Sequence, residues 1–282
     1  MPTIAIPQGR INYRVAGPSK SDTPTVVFIH GLLVNGELWT GVAEALAAQG
    51  IRSYAPDLPL GSHPVALNAD ADLTPRGVAR LINDFLAALD LDDVTLVGND
   101  TGGALCQFLI DDDHSRVGRL VLTNCDAFDK FPPPPFDLIV KVGRSPGRLL
   151  AMMEPMRSTT VRHSRLGYGA LVAKPLAAEL TLRWSTPSLT DKDVRRDTAK
   201  FLQGVDARDL LDVSTRLAAF AKPVTLIWGD RDPFFKIQFA RRLRSTFANA
   251  TLVEVEGGRT FLPLDEPQRV ADEIRAACPT KR

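Results

Sequence analysis

An aspartate at a sharp turn is the feature that most constrains this chain. Residues 94–104 read VTLVGNDTGGA, which predicts a buried strand, a GxDxG turn centred on Asp100, and then an apolar helix. A residue on such a turn projects its side chain toward the carboxyl ends of the strands, provided that its neighbours two positions away are small. Gly98 and Gly102 meet that requirement, and Gly103 lets the helix pack closely. The turn therefore predicts a parallel sheet with Asp100 at the edge where ligands bind.

Short β-rich runs alternate with helical patterns along the chain. The run at residues 25–30, TVVFIH, is almost entirely apolar, as expected for a strand that is buried on both faces. This alternation indicates an α/β fold. The predicted strands, of which the first two form a hairpin, are residues 3–6, 11–15, 25–30, 51–55, 94–97, 119–123, 224–228 and 251–255.

The clearest helix begins after Thr74, which can cap its first turn, and Pro75 fits the first helical position. One face of this helix carries the apolar residues Val78, Leu81, Ile82, Phe85, Leu86 and Leu89. That spacing predicts a helix packed against the sheet. Two further helices are predicted at residues 103–110 and 239–247.

The strand signal disappears between residues 128 and 217. This segment opens with FPPPPF at residues 131–136, which favours extended backbone and excludes an earlier helix start. We therefore predict a core domain of residues 1–127 and 218–282, with a helical cap of residues 128–217 inserted after the sixth strand. Three methionines either fill the cap's interior or line a pocket: Met152, Met153 and Met156.

Composition narrows the class of partner. The formal net charge is +1, which lacks the basic excess of proteins that bind nucleic acid or anionic membranes. We expect a small-molecule substrate, no nucleic-acid or membrane partner, and a monomer or homodimer. The first residues lack a signal-peptide pattern, so we expect a cytoplasmic protein. Because the cysteines are odd in number and lack CxxC spacing, we expect neither a zinc site nor a disulfide framework. We also expect no cofactor.

The turn and four further motifs together resemble the α/β-hydrolase superfamily along nearly the whole chain. The other motifs are His30-Gly31 after the third strand, PDLPLGS at 56–62, WGDRDPF at 228–234 and FLPLDEP at 261–267. The resemblance implies a mostly parallel, eight-stranded sheet flanked by helices, with a helical cap. An aspartate at the turn is similar to the haloalkane dehalogenase and epoxide hydrolase branch. In that branch the carboxylate attacks carbon and forms an ester with the enzyme.

The resemblance implies a role for several residues. Asp100 would be the nucleophile, because a carboxylate with a reference pKa of about 3.9 is already ionised at neutral pH. The backbone N–H groups of Leu32 and Thr101 would form the oxyanion hole. Asp232 matches the acid that orients the catalytic histidine in the family.

The catalytic histidine itself is replaced in this chain. The family places it after the last strand, directly before a phenylalanine, and here Thr260 precedes Phe261. None of the four histidines lies beyond residue 163. A threonine does not act as a base near neutral pH, so hydrolysis of an ester on Asp100 would need another base.

Two branch-specific features also differ. Dehalogenases of this branch hold halide with a tryptophan and usually an asparagine, and those positions are here Thr101 and Leu32. Epoxide hydrolases use two cap tyrosines, whereas the predicted cap contains only Tyr168, which is a candidate pocket residue. Neither specific activity therefore carries over intact.

Other residues are candidates for the site. His63, on the loop after the fourth strand, either approaches Asp100 as a replacement base or is an ordinary turn histidine. His30 belongs to the oxyanion loop, where the family uses it structurally. Trp39 lines the pocket or packs in the core. Asp126 lies just past the sixth strand, close to where some family members place the alternative acid, or has a hydrogen-bonding role.

Three functions remain open on the sequence alone. In the first, Asp100 is the nucleophile of a hydrolase for a small, largely apolar substrate that carries a carbon–halogen bond, an epoxide or an ester or lactone, with His63 or a water relay completing turnover. In the second, Asp100 is the general base of a lyase, isomerase or cyclase that needs no activated water. In the third, the protein is a catalytically silent ligand-binding member of the fold.

Overall fold

The computed structural model describes residues 1–278. Its centre is a sheet of eight strands in the order β1-β2-β4-β3-β5-β6-β7-β8. The β1–β2 and β2–β4 pairs are antiparallel, and every other neighbouring pair is parallel. The strands are β1 Thr3–Ile6, β2 Gly9–Ala16, β3 Val26–Ile29, β4 Ser53–Pro56, β5 Val94–Asp100, β6 Val117–Cys125, β7 Val224–Gly229 and β8 Ala250–Val255. The predicted mostly parallel, eight-stranded sheet is confirmed.

Twelve α-helices surround the sheet in this part of the chain. They are α1 Thr40–Ala48, α2 Pro75–Ala88, α3 Thr101–Asp112, α4 Phe136–Gly143, α5 Pro146–Met153, α6 Thr159–His163, α7 Ala178–Thr190, α8 Lys192–Gln203, α9 Ala207–Ser214, α10 Ile237–Thr246, α11 Leu262–Asp265 and α12 Pro267–Ala277. Single 3₁₀ turns add Gly36–Trp39, Glu154–Arg157, Tyr168–Ala170 and Leu217–Ala219.

Strand β3 shows why the sheet is buried on both sides. Its side chains alternate between two hydrophobic cores, with Val27 and Ile29 on one face and Val26 and Phe28 on the other. Helices α2 and α3 contribute to the first core, and α1 and α12 contribute to the second. The apolar run that predicted this strand is therefore required by packing on both of its faces.

Local signals set the start of α2 as predicted. The Thr74 hydroxyl accepts a hydrogen bond from the Gly77 amide at 3.1 Å, and Pro75 occupies the first helical position. The predicted hairpin is also confirmed, because β1 and β2 pair in antiparallel register from Thr3–Asn12 to Ile6–Gly9.

The segment between β6 and β7 is built from helices α4 to α9. Helix α4 begins at Phe136, directly after the proline run, as the sequence predicted. The assignment of residues 128–217 as an inserted cap domain remains a prediction, and we refer to this helical segment as the cap.

Among residues 1–278, no helix has both the length and the apolar character needed to cross a membrane.

Candidate active site

Asp100 lies at the junction of strand and helix that the sequence predicted. It is the last residue of β5 and caps the N-terminus of α3, with φ 55° and ψ −132°. A positive φ is strained for a residue with a Cβ atom and is found mostly where surrounding packing enforces it. Here a Cβ on Gly98 would lie 2.8 Å from the Gly102 oxygen, and one on Gly102 would lie 2.6 Å from the His30 oxygen. The two glycines therefore allow the close packing that holds Asp100 in this conformation.

Two backbone groups hold the Asp100 carboxylate. The amides of Thr101 and Leu32 donate hydrogen bonds to it, so the predicted oxyanion-hole donors converge on this side chain. These bonds lower the pKa of Asp100, but burial raises it by more, and the negative charge of Asp232 raises it further. The net result is a pKa of about 7, against an ordinary value of 3.8. Near neutral pH the carboxyl group is therefore poised between its two protonation states.

A cavity of about 210 Å³ opens above Asp100. Among the residues of the described chain that line this cavity, Asp100 is the only one with a carboxylate. The same lining residues include no lysine, arginine or histidine. The walls are largely apolar and come mainly from the cap: Phe131, Pro132, Phe136, Ile139, Val140, Met152, Met153, Met156, Leu166, Leu171, Phe201, Leu202 and Val205. Such a site suits a small, uncharged, largely apolar molecule.

Thr260 lies at the position where the resemblance places the catalytic histidine, and it makes a hydrogen bond to Asp232. The Thr260 hydroxyl donates to Asp232 Oδ2 at 2.9 Å, and the Asn124 side-chain amide donates to the same oxygen at 2.9 Å. The other oxygen, Oδ1, accepts from the Phe234 and Phe235 amides at 2.8 and 3.0 Å. Asp232 is thus satisfied by four donors and has no imidazole to orient.

His63, for which the sequence left two roles open, lies away from the cavity. Its ring is buried and does not line the cavity; Nε2 lies 3.4 Å from Asp197 Oδ2 on α8. The Leu67 amide also donates to Asp197, at 2.7 Å. His63 therefore joins the loop after β4 to the cap instead of serving the cavity.

His30, a candidate pocket residue, does not line the cavity and is held within the oxyanion loop. Its Nε2 accepts a hydrogen bond from the Leu58 amide at 2.8 Å, and Nδ1 lies 2.8 Å from the Gly31 oxygen. Complete burial lowers the pKa of His30 to about 3, so the ring is neutral and Nδ1 donates to Gly31. The ring thereby fixes the loop that carries the Leu32 amide.

The two aromatic candidates have different outcomes. Tyr168 lines the cavity, and its hydroxyl donates to the Leu33 oxygen at 2.8 Å, which connects the cap to the oxyanion loop. Trp39 does not line this cavity. It stacks on Phe28 with ring centres 4.7 Å apart and borders a separate surface cleft.

Asp126 lies in the protein interior next to the turn. It directly follows β6, and its amide donates to the Asp100 backbone oxygen at 3.4 Å. Burial raises the pKa of its side chain well above the usual value, and the charge of Asp100 adds to that effect. Within residues 1–278, no group of three or more His, Cys, Asp and Glu side chains is arranged to hold a metal ion.

Sequence reasoning missed most of the cavity wall. The three methionines, which the sequence left as either interior or pocket residues, do line it, whereas Phe131, Phe136 and Phe201 were not predicted. The proline run was a local signal for the first two, because Phe131 and Phe136 flank it. Phe201 carried no such local signal.

The chain matches a family model described as alpha/beta hydrolase fold over residues 24–267. It is 26% identical over 282 residues to haloalkane dehalogenase 2 of Mycobacterium tuberculosis, covering 95% of this chain and 91% of that protein. It is 25% identical over 287 residues to a cis-3-alkyl-4-alkyloxetan-2-one decarboxylase of Xanthomonas campestris, covering 94% and 91%.

A solved structure with a similar fold is that of a putative ancestral haloalkane dehalogenase. The TM-score is 0.77 at 22% sequence identity, and the match covers 98% of this chain and 99% of that one. At this identity the likeness is one of fold.

Proposed function

The chain belongs to the α/β-hydrolase fold family, and from that premise we propose that it is an enzyme that transfers a proton on a small, largely apolar substrate. Asp100 is the general base, and no water is added to the product. The substrate class is a neutral molecule with an acidic C–H bond, such as one next to a carbonyl group. The reaction is then an isomerisation, elimination or ring closure.

One observation supports this proposal: Thr260, at the position where the family resemblance places the water-activating histidine, has its hydroxyl bound to Asp232. Hydrolysis of an ester on Asp100 needs a base that takes a proton from water. The residues that line the cavity include no histidine, and His63 faces Asp197. A reaction that needs no activated water fits this set of groups.

The acid–base character of Asp100 also supports the proposal. General-base catalysis is most effective when the base has a pKa near the working pH, and that of Asp100 is raised to about 7. The carboxylate is held by two amides and faces an apolar cavity. It is therefore oriented, partly desolvated and basic enough to accept a proton from carbon.

The experiment is a search for solvent exchange and for water incorporation in parallel. Small apolar ketones, esters and lactones are incubated with the enzyme in D₂O and, separately, in ¹⁸O-water. We expect deuterium in recovered substrate or product, no ¹⁸O in the product, and no ¹⁸O in the peptide that contains Asp100. Turnover that places ¹⁸O in that peptide would contradict the proton-transfer mechanism.

Two variants serve as matched controls. Asp100→Asn keeps the shape of the side chain but is not a base, so the rate should fall roughly 10²- to 10⁴-fold. Thr260→Val keeps the volume and removes only the hydroxyl, so the rate should stay close to that of the wild type. If Asp100→Asn and wild type bind the same ligands equally and neither turns any over, the chain is a silent ligand-binding member of the fold.

A second candidate is favoured by the two amides that hold Asp100. In this reading the carboxylate attacks carbon and forms a transient ester, as a nucleophile held by oxyanion-hole donors can do. The relative from Xanthomonas campestris is named for the decarboxylation of an alkylated oxetan-2-one, and on such a substrate an ester on Asp100 would not have to react with water. Attack on C4, the saturated ring carbon that bears the ring oxygen, would break the C4–O bond and free a carboxylate. Loss of CO₂ would then form the alkene as Asp100 departs.

The two candidates differ in their products. A 3,4-dialkyl oxetan-2-one is incubated with the enzyme, and the headspace and the intact protein mass are measured. The ester mechanism predicts CO₂, an alkene and, after rapid quenching, an adduct on Asp100. Recovery of the lactone with exchanged α-hydrogen and no adduct would instead favour proton transfer.

A further inference from the structure

Asp126 has a fixed position beside Asp100. In the paired strands β5 and β6, Asp100 is opposite Cys125, and Asp126 is the next residue along the chain. The backbone amide of Asp126 donates to the backbone oxygen of Asp100 at 3.4 Å, and the Gln107 side-chain amide donates to the backbone oxygen of Asp126 at 2.9 Å. The backbone of Asp126 is therefore held on two sides.

The side chain of Asp126 has no solvent access, with 0% of the residue exposed. Neither of its carboxyl oxygens makes a hydrogen bond to any group in residues 1–278 under the usual geometric limits. The nearby Thr101 hydroxyl lowers the pKa of the Asp126 carboxyl group, but by less than burial raises it. A buried carboxylate with neither a cation nor a full set of donors has a very unfavourable free energy.

The charges around Asp126 add to this conflict. The titratable groups that act on Asp126, directly or through its neighbours, are Asp100 at the turn, the adjacent Cys125, Cys106 on α3 and Asp232 after β7. Arg242 on α10 lies over the Phe128 ring at 3.7 Å. Asp100 and Asp232 are both acidic, and burial raises the pKa of both cysteine thiols. Two adjacent buried carboxyl groups do not both ionise, because their repulsion is screened little by solvent.

We propose that Asp126 holds a proton at neutral pH and forms with Asp100 a pair of carboxyl groups that carries at most one negative charge. Asp126 is a positioning residue: in its protonated form it donates to the nearby Thr101 hydroxyl and thereby supports the anion on Asp100. This deepens the proposed function, on which it rests for its role in turnover. When Asp100 takes a proton from the substrate, the pair changes from one proton to two, and returning that proton restores it.

The protonation state is measured without substrate. Infrared spectra of enzyme labelled with ¹³C in the aspartate carboxyl groups are recorded across neutral pH for wild type and Asp126→Asn. We expect a protonated carboxyl band in the wild type, still present at pH values above 7, that is missing in the variant. If Asp126→Asn removes only an ionised carboxylate band, the proposal is wrong whatever the activity of the enzyme.

The coupling to Asp100 is measured with two variants of similar volume. The titration midpoint of Asp100 is read, in each protein, from the difference between its spectrum and that of the same protein with Asp100→Asn added. Asp126→Asn is permanently neutral but keeps an N–H donor, so this midpoint should stay at its wild-type value. Asp126→Leu removes the donor, so that midpoint should rise by about one pH unit. If a rate is measurable, the rising limb of its pH profile in Asp126→Leu should move to higher pH by the same amount.

The alternatives give different patterns. An ionised Asp126 would repel the Asp100 charge, so both variants would lower the midpoint. An Asp126 with a packing role alone would leave the midpoint unchanged in both. If Asp126→Leu does not fold, the Asp126→Asn spectra still decide the protonation state. Because these readings need no turnover, they remain valid if the proposed proton transfer is not found.

Discussion

Replacing Asp100 with asparagine should stabilise the protein, and more so as the pH rises. The pKa of Asp100 is about 7 in the folded chain and 3.8 when unperturbed. Between these values the folded state binds more protons than the unfolded state, so the free energy of unfolding falls as the pH rises through this window. Above pH 7 the loss is complete and the stability no longer depends on this group. Asparagine has no proton to lose and escapes the penalty.

The size of the effect follows from the shift. A shift of about three units corresponds to at most about 4 kcal/mol, of which roughly 2.5 kcal/mol falls between pH 5 and pH 8. These figures are upper bounds, because the side chain keeps partial access to the cavity and solvent there screens part of the cost. Asp126 and Asp232 remain in both proteins, but Asp100 interacts with both of them, so the measured difference reports the coupled group of carboxyls.

Urea unfolding of wild type and Asp100→Asn at pH 5 and pH 8 measures this difference. The fluorescence of Trp39, Trp184 and Trp228, which are all buried, reports the transition. The variant's advantage should grow by roughly 1 to 2.5 kcal/mol from the lower to the higher pH. Asp112→Asn, an exposed position on the same helix, should show no such growth. An advantage that is absent at pH 8, or equal at both pH values, would refute the burial argument.

Three further predictions concern contacts of the site. Gly31→Ala would place a methyl group against the Asp100 carboxylate; displacing that group by about 1 Å should lower turnover roughly a hundredfold, measured beside an unchanged circular dichroism spectrum. Thr260→Val removes the hydrogen bond to Asp232 and should cost about 1 kcal/mol in urea unfolding while turnover stays within about twofold. Tyr168→Phe removes the hydroxyl bond from cap to core and should also cost about 1 kcal/mol, measured in the same way.

The sequence predicted those parts of the fold that short-range physics determines. The start of α2 depends on Thr74 and Pro75, which act within one helical turn. The turn at Asp100 needs Gly98 and Gly102, which lie two residues away on either side. Such signals are readable because the interacting groups are neighbours in the chain.

The surroundings of His63 and Trp39 were not predictable in the same way. His63 meets Asp197, a residue 134 positions later on a cap helix whose packing no local pattern specifies. Trp39 stacks on Phe28 of β3 and packs in a core with residues from distant parts of the chain. The sequence supplied the residue types, and long-range packing decided which of them meet Asp100.

Thr260 places a neutral hydrogen-bond donor beside the acidic residues of the site. Asp100, Asp126 and Asp232 all have raised pKa values, and burial is the largest cause at each. An imidazole at position 260 would form an ion pair with Asp232 when protonated and would lower the pKa of any carboxylate nearby. A threonine there supplies a neutral hydrogen bond and no positive charge. Without that charge, ionised Asp100 is less stable and a stronger base, which is the property that proton abstraction from carbon needs. Under the proposed function, a threonine at position 260 supplies no base to activate water and also makes Asp100 better suited to a reaction that uses no water.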